Sequence, residues 1–555
     1  MKRALATDAV ASSSSLSSSP KRIRTRDSNP ENEIIDLTDA PAPIAPTAPA
    51  KCTDDTDNDT DATEIDDAHT VHSHSSREAT PVTTAAASQP APVNYIDPRI
   101  RLVRVRDLPA ADNVGSKSLR ELFTFKPLEC MLQLNYMVEL EWMLSHLQDR
   151  SIPVTIVHGL DKAMMQQEAA PYPNVTVIKP WLPIAYGTHH TKAMFLVHKA
   201  GTAQFIIHTA NLISRDFTFK TQGMWLSPVL QKKSATDVPC AFERDLMEYF
   251  DEYGSSLRAW RDRMAAYDWS PVRAVLVGSV PGRHTGAALR KWGHLRLRRC
   301  LERVTLPPSC VADSVLIAQV VGSLGTNDSW LVGEFARSLA TAREGNGGLM
   351  AVTPPLKLIF PTVDDVRTSL EGWAGSGSLP FDHKNWTSAE PYMRPRLHAW
   401  EATRQGRHRA VPHIKTFTRI NTQTGEMAWF LLTSANLSKA AWGQFEKKDT
   451  QLMIRSFELG VLIAPESFKS SQDQAVTLKA ISPTELAGLS TKSAKEPNPE
   501  LPVTVVPLRL PYDLPLRPYA AGEKPWTRGE EVPRGRDSLG DTFQQYVMKA
   551  MLGGG

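Results

Sequence analysis

Residues 186–212 read YGTHHTKAMFLVHKAGTAQFIIHTANL, and residues 412–437 read PHIKTFTRINTQTGEMAWFLLTSANL. Each stretch carries a His-x-Lys triplet near its start, runs on through two apolar segments and closes on Ala-Asn-Leu. The residues are His190, Lys192 and Asn211 in one copy and His413, Lys415 and Asn436 in the other. His and Asn lie 21 residues apart in the first copy and 23 in the second. A single His-x-Lys in a chain with 15 His is commonly surface decoration. Two matched copies point to an internal duplication.

The apolar segments set the fold class. Ala193 to Val197 and Phe205 to His208 read as strands bracketing the turn at 199–201, and Trp429 to Thr433 reads as a strand feeding Asn436. Val154 to Val157 and Val175 to Ile178 are further buried strands. Ser118-Leu119-Arg120-Glu121 reads as a capped helix start, and helices are predicted over 243–253 and 256–267. Mixed strands and helices, occurring twice, imply an α/β sandwich in two similar halves about a pseudo-twofold axis. Gly and Pro cluster at 278–282, which places a first domain over 95–279 and a second over 280–555. The Gly-rich stretch 372–377 and the Pro-rich stretch 501–519 read as surface loops, and 536–555 as a weakly ordered end.

Residues 1–94 form a different class of sequence. The first aromatic residue of the chain is Tyr95, and the segment before it is built from Ser, Thr, Ala, Pro and Asp. Such a composition cannot bury enough apolar surface to offset chain entropy, so a disordered regulatory tail is expected. Within it, the cluster Lys21 to Arg26 reads as a nuclear import signal or as a plain basic patch. The aliphatic cluster Ile34-Ile35-Asp36-Leu37 is suited to adding as a strand to a partner's sheet edge, and it resembles a SUMO-interacting motif. Eight acids and no base fall between Asp54 and Asp67, so the remainder of the chain is more basic than its net charge of +3 suggests. That bias suits a polyanionic partner, as it does an ordinary solvated surface. Five scattered Cys without CxxC spacing suggest a reducing compartment and neither a disulfide framework nor a zinc site. No apolar run approaches 18 residues, so a soluble intracellular protein is expected.

The duplicated residues suit phosphoryl chemistry. Alternate residues of a strand project from one face, so each His points with its Lys. A phosphodiester needs a nucleophile on one side and an acid at the leaving oxygen on the other, roughly in line. Two facing imidazoles meet that need, with two Lys and two Asn to hold the non-bridging oxygens. No step requires a metal, and no ligand cluster such as HExxH stands near these strands, so no metal or cofactor is expected.

The doubled motif resembles the phospholipase D superfamily. The general pattern of that superfamily has an Asp five residues after the Lys, where this chain has Val197 and Ile420. The resemblance is instead to the tyrosyl-DNA phosphodiesterase branch, whose signature is His-x-Lys with a distant Asn. It rests on Tyr186 to Lys192, Lys220 to Gly223, Pro412 to Thr416, TSANLSKAAWG from Thr433 and QLMIRSFELG from Gln451, and it extends from about Ser118 to Trp526. The resemblance implies two phospholipase D-like domains and a nuclear, monomeric DNA repair enzyme. Such an enzyme removes trapped topoisomerase I peptide and other blocking groups from DNA 3′ ends. His190 would form a phosphohistidine; His413 would protonate the leaving tyrosine oxygen and then activate the water that releases a 3′-phosphate. Lys192, Lys415, Asn211 and Asn436 would bind the phosphate, and Gln222 and Glu458 would support the histidines. If Glu458 backs His190 and Gln222 backs His413, a carboxylate behind one ring and an amide behind the other would split their roles.

DNA contacts implied by the same resemblance are Tyr186, stacking on a base, together with Ser323, Ser378, Pro380, Lys384, Ser438 and Ala440. Two departures stand out: Val320 replaces an expected Ser, and Arg528 an expected aromatic. Two other readings of the whole chain remain: a different phosphodiesterase or nuclease of the superfamily, and an inactive DNA-binding scaffold.

Overall fold

The computed structural model describes residues 94–552 except 235, 323, 325–326, 345–346, 350–351, 471–473, 493–502 and 530–532. The basic, aliphatic and acidic clusters before residue 94, and Ser323, lie outside the described residues. Asn94, which the sequence assigned to the tail, opens the short strand Asn94–Tyr95 on the edge of a sheet.

A seven-stranded sheet runs in the order Ile100–Leu102, Gly223–Leu226, Ala203–His208, Ala193–His198, Leu128–Leu134, Val154–Val157, Val175–Ile178. The first four junctions are antiparallel and the last two parallel. A path through the second, ten-stranded sheet repeats this plan: Val275–Ser279, Glu458–Ile463, Glu426–Thr433, Thr416–Ile420, Val315–Gln319, Leu356–Ile359, Leu397–His398. Its junctions have the same senses in the same places. The strands also occur in the same order along the chain, so the duplication covers the whole unit. It also relocates the boundary: Val275–Ser279, before the expected break at 279/280, pairs with Glu458–Ile463 and belongs to the second sheet.

The second sheet is wider because Ala475–Ala480 joins Glu426–Thr433 antiparallel and Val503–Leu508 then lies parallel to Ala475–Ala480. The Pro-rich stretch is therefore not a surface loop throughout: Val506, Leu508, Leu510 and Tyr512 are buried. Pro507 fits because apolar neighbours on both sides fill the core while only its own donor is missing from the ladder. Residues 372–377 are likewise no loose loop. They form a 3-10 helix, Gly372–Ser378, with Trp373 buried. The C-terminal segment covers it: the Trp373 backbone N–H donates to Asp537 Oδ2, and its indole N–H to the Asp541 carbonyl. That segment continues into the capped helix Phe543–Met551, in place of a weakly ordered end.

One apolar cluster runs between the two sheets, joining Phe195, Phe205 and Trp225 of the first to Leu432, Leu459 and Val461 of the second. The halves approach closely at Gly223, where an added Cβ would fall 2.6 Å from Ile414 Cδ1 and 2.9 Å from Leu432 Cδ1. A side chain there would hold apart the segments that carry Gln222 and His413, each of which precedes a strand.

Candidate active site

Both His-x-Lys triplets sit in extended chain just before a strand rather than within one, leading into Ala193–His198 and Thr416–Ile420. Each is held there by the other half of the molecule. The His190 N–H donates to the Phe457 carbonyl at 3.0 Å, and the His413 N–H to the Thr221 carbonyl at 2.9 Å. The residue after each accepting carbonyl then supports the ring: Glu458 lies behind His190, and Gln222 behind His413.

His190 Nδ1 lies 2.9 Å from Glu458 Oε2 and 3.1 Å from Oε1. The Ser434 hydroxyl donates to Glu458 Oε2 and accepts from the Leu459 N–H. On the other side, the Gln222 amide lies 2.9 Å from His413 Nδ1. There the Thr209 hydroxyl pairs with Gln222 Oε1 at 2.7 Å and accepts from the Gly223 N–H. Thr209 and Ser434 each stand two residues before a motif Asn. The two supports are therefore equivalent down to the hydroxyl that positions them.

They are not unequal in the way the sequence suggested. Asp216 Oδ2 also lies 3.2 Å from His413 Nδ1, so a carboxylate stands behind each ring. Asp216 belongs to the short helix Ser214–Thr218 after Asn211, is buried, and accepts from the Asn211 N–H at 2.7 Å. Burial alone would raise its carboxyl pKa; His413, the Asn211 N–H and Lys220 outweigh that and hold it below the ordinary carboxylate range. The sequence reading missed Asp216 because its partner lies 197 residues further on. The available signal was an acid in an otherwise apolar and basic run one turn past the motif Asn.

The lysines complete the centre. Lys192 Nζ donates to the His190 carbonyl at 3.2 Å. Lys415 Nζ donates to the His413 carbonyl at 2.9 Å and lies 3.1 Å from His413 Nε2. Burial first, and then the Lys415 charge, pull the His413 imidazole down to about 4; Asp216 pulls the other way and Lys192 adds to the fall. Asn436 Oδ1 accepts from the Gly322 N–H at 3.1 Å. The structure thus groups Lys192 and Glu458 with His190, and Gln222, Lys415 and, through Asp216, Asn211 with His413, with the Lys192 charge also acting on His413; Asn436 is placed by Gly322.

The expected DNA contacts are less uniform. Tyr186 is 63% exposed and holds a left-handed φ of 59°, ahead of Gly187 and the first motif. Ser438 is buried and caps the turn Lys439–Trp442, its hydroxyl accepting from the Ala441 N–H. The Ala440 carbonyl accepts from the Arg455 and Ser456 N–H groups, and Ser456 Oγ accepts from Thr188 beside the first motif. Ser378 and Pro380 are half-buried at the end of Gly372–Ser378, whose Gly375 carbonyl accepts from Lys220 Nζ at 2.7 Å. Lys384 is exposed on the helix His383–Met393. Val320, Val197 and Ile420 are buried core, and Arg528 lies 3.7 Å from Asp382.

Among the described residues, no group of three or more His, Cys, Asp or Glu is placed to hold a metal ion. No described helix is long and apolar enough to cross a membrane.

Two like-ordered α/β sheets sharing one His-Lys-Asn centre define the two-domain phospholipase D-like class. The tyrosyl-DNA phosphodiesterase family profile matches residues 99–520, and the chain belongs to that family. It is 37% identical over 464 residues to "Tyrosyl-DNA phosphodiesterase 1" of Arabidopsis thaliana, covering 77% of this chain and 73% of that one. The Drosophila melanogaster protein of the same name is 34% identical over 415 residues, with 72% and 67% covered. The crystal structure of the yeast tyrosyl-DNA phosphodiesterase superposes with a TM-score of 0.57 at 20% identity, covering 78% of this chain and 99% of that one.

Proposed function

We propose that the chain is a DNA repair phosphodiesterase that cleaves the bond between a DNA 3′ end and the tyrosine of trapped topoisomerase I. It also removes other 3′ blocking groups. His190 attacks phosphorus, forms a phosphohistidine and displaces the tyrosine; water then releases a 3′-phosphate. His413 supplies a proton to the leaving oxygen in the first step and takes one from water in the second. Lys192, Lys415, Asn211 and Asn436 hold the non-bridging oxygens as charge builds on them.

The observation that carries this reading is the crossed support of the two rings. Each imidazole has its Nδ1 engaged by a side chain of the other half, so each turns Nε2 to the shared centre. A single-stranded 3′ end fits the exposed Tyr186, whose ring offers a stacking face. The enzyme works as a monomer in the nucleus, and the segment Ile34 to Leu37 recruits SUMO or sumoylated partners.

The test uses an oligonucleotide carrying a 3′-phosphotyrosine, with EDTA present. Wild type should release a 3′-phosphate, His190→Ala should be inactive, and His413→Asn should accumulate a protein–DNA adduct. Well-folded wild type that leaves the tyrosine in place would sink the reading.

A further inference from the structure

Resting on the two-histidine reading, we propose that Asp216 is a positioning residue that fixes the resident proton of His413 on Nδ1 and leaves Nε2 as the atom that trades a proton with the substrate.

The contacts on the two sides of the ring decide the tautomer. On one side Asp216 Oδ2 lies 3.2 Å from Nδ1; on the other Lys415 Nζ lies 3.1 Å from Nε2. With its proton on Nε2, the ring would turn a lone pair toward a buried carboxylate and an N–H toward an ammonium, and both contacts would be repulsive. With the proton on Nδ1, both become attractive. Buried among groups with little access to water, such contacts are not screened. Asp216 is itself fixed, because the Asn211 N–H donates to the same oxygen at 2.7 Å.

Gln222 accommodates this tautomer. Its side-chain amide stands 2.9 Å from Nδ1, and the hydrogen-bond network decides which end faces the ring. In the structure Gln222 Nε2 faces Nδ1 and Oε1 accepts from Thr209 Oγ1 at 2.7 Å. With the amide turned over, Thr209 Oγ1, which also reaches the Gly223 carbonyl at 3.3 Å, accepts from Nε2 and donates to that carbonyl. Gln222 Oε1 then faces Nδ1–H beside Asp216.

The proton count closes over both steps. In the first, the His413 imidazolium gives its Nε2 proton to the tyrosine oxygen as the P–O bond breaks and the P–N bond to His190 forms. His413 is left neutral with Nδ1–H. In the second, Nε2 takes a proton from water as the water oxygen bonds phosphorus and the P–N bond breaks. The imidazolium is restored and His190 leaves with its electron pair. Asp216 stays ionised throughout and favours the imidazolium form.

The experiment compares two 3′ leaving groups in single-turnover adduct formation. Tyrosine needs a proton; p-nitrophenol, about three pKa units more acidic, hardly does. Asp216→Asn should slow tyrosine release by about 30-fold and p-nitrophenol release by less than about 3-fold. In a His413→Asn background it should change neither. Equal slowing of both leaving groups would overturn the proposal and reduce Asp216 to a brace for Asn211. If Asp216→Asn does not fold, ¹⁵N-histidine spectra of wild type decide, with the His413 signal assigned by its loss in His413→Asn. A proton on Nδ1 supports the proposal, and a proton on Nε2 overturns it. Wild type that releases neither leaving group, or His190→Ala that releases both, removes the two-histidine reading itself.

Discussion

Gly322 sets the position of Asn436, and a single methyl group there should disable the phosphate site without unfolding the protein. The Gly322 N–H donates to Asn436 Oδ1 at 3.1 Å. A Cβ built on Gly322 would lie 2.5 Å from Asn436 Cγ and Nδ2, and 2.9 Å from Oδ1. Carbon contacts settle near 3.5 Å, so Gly322→Ala must push the amide back by about 1 Å and break that hydrogen bond. Misplacing a binding group by about 1 Å costs on the order of 10²-fold in rate. Gly322 does not hold a left-handed φ, so Ala is tolerated by the backbone and global stability should change little. The assay is single-turnover release of tyrosine from a 3′-phosphotyrosyl oligonucleotide by wild type, Gly322→Ala, Asn436→Ala and the double variant. Gly322→Ala should be slower by about 30- to 100-fold, and the double variant no slower than Asn436→Ala alone. Wild-type rates in Gly322→Ala, or losses that multiply in the double variant, would refute the claim that Gly322 acts through Asn436.

Three further outcomes follow from buried charge. Lys220 is fully buried, 2.6 Å from Glu371 Oε2, while Arg215 Nε lies 2.8 Å from Oε1. Lys220→Met leaves the buried Glu371 carboxylate with Arg215 alone and should cost about 2 kcal/mol in denaturant titrations, and adding Glu371→Gln should recover part of that loss. Burial depresses four imidazoles, His158 and His413 to about 4 and His189 and His208 to about 3. The unfolded chain takes up those protons near pH 6.5 and the folded chain does not, so stability is lost as pH falls below about 6.5, at about 5 kcal/mol per pH unit near pH 5. Denaturant midpoints that stay level from pH 7 to pH 5 would contradict this. Binding of a diester oligonucleotide to His190→Ala at pH 7 should draw in about one proton, because the ligand's negative charge offsets Lys415 beside His413. Calorimetry in buffers of different ionisation heat reads that uptake, and heats independent of buffer would count against His413 as the acid.

What was legible in the sequence was whatever local chemistry demands. His190, Lys192 and Asn211, with their second copies, stood out because three polar residue types recur at matched spacing around apolar strands. The capping box at Ser118 and Glu121 was readable because both partners lie within one turn. Distance along the chain hid the rest. Asp216 carries no local mark of its contact with His413, and Glu371 none of its contact with Lys220. Composition misled where a later segment changes the environment. Gly372–Ser378 looks like a loop until Asp537 and Asp541 close over Trp373, and 501–519 looks like a loop until Ala475–Ala480 offers Val503–Leu508 a parallel edge. The boundary at 279/280 followed Gly and Pro, whereas the repeat itself begins with the strand Val275–Ser279.

The crossed supports explain why the two halves are one catalytic unit. His190 is aligned by the Phe457 carbonyl and Glu458, and His413 by the Thr221 carbonyl with Gln222 and Asp216. Neither half alone holds its own imidazole, so a copy separated from its partner would keep the motif and lose its orientation. The copies have also diverged where their tasks differ. His190 meets both oxygens of Glu458, a support that stabilises the positive ring formed when nitrogen bonds phosphorus. His413 shares Asp216 with the Asn211 N–H and has Lys415 against Nε2, and burial with the Lys415 charge disfavours its imidazolium before substrate binds. Lys192 and Lys415 oppose Glu458 and Asp216 charge for charge. A bound diester adds one negative charge to that balance, and a proton on His413 cancels it. The substrate thereby creates the acid that its own leaving group needs, and the acid reverts to a base once the tyrosine has gone.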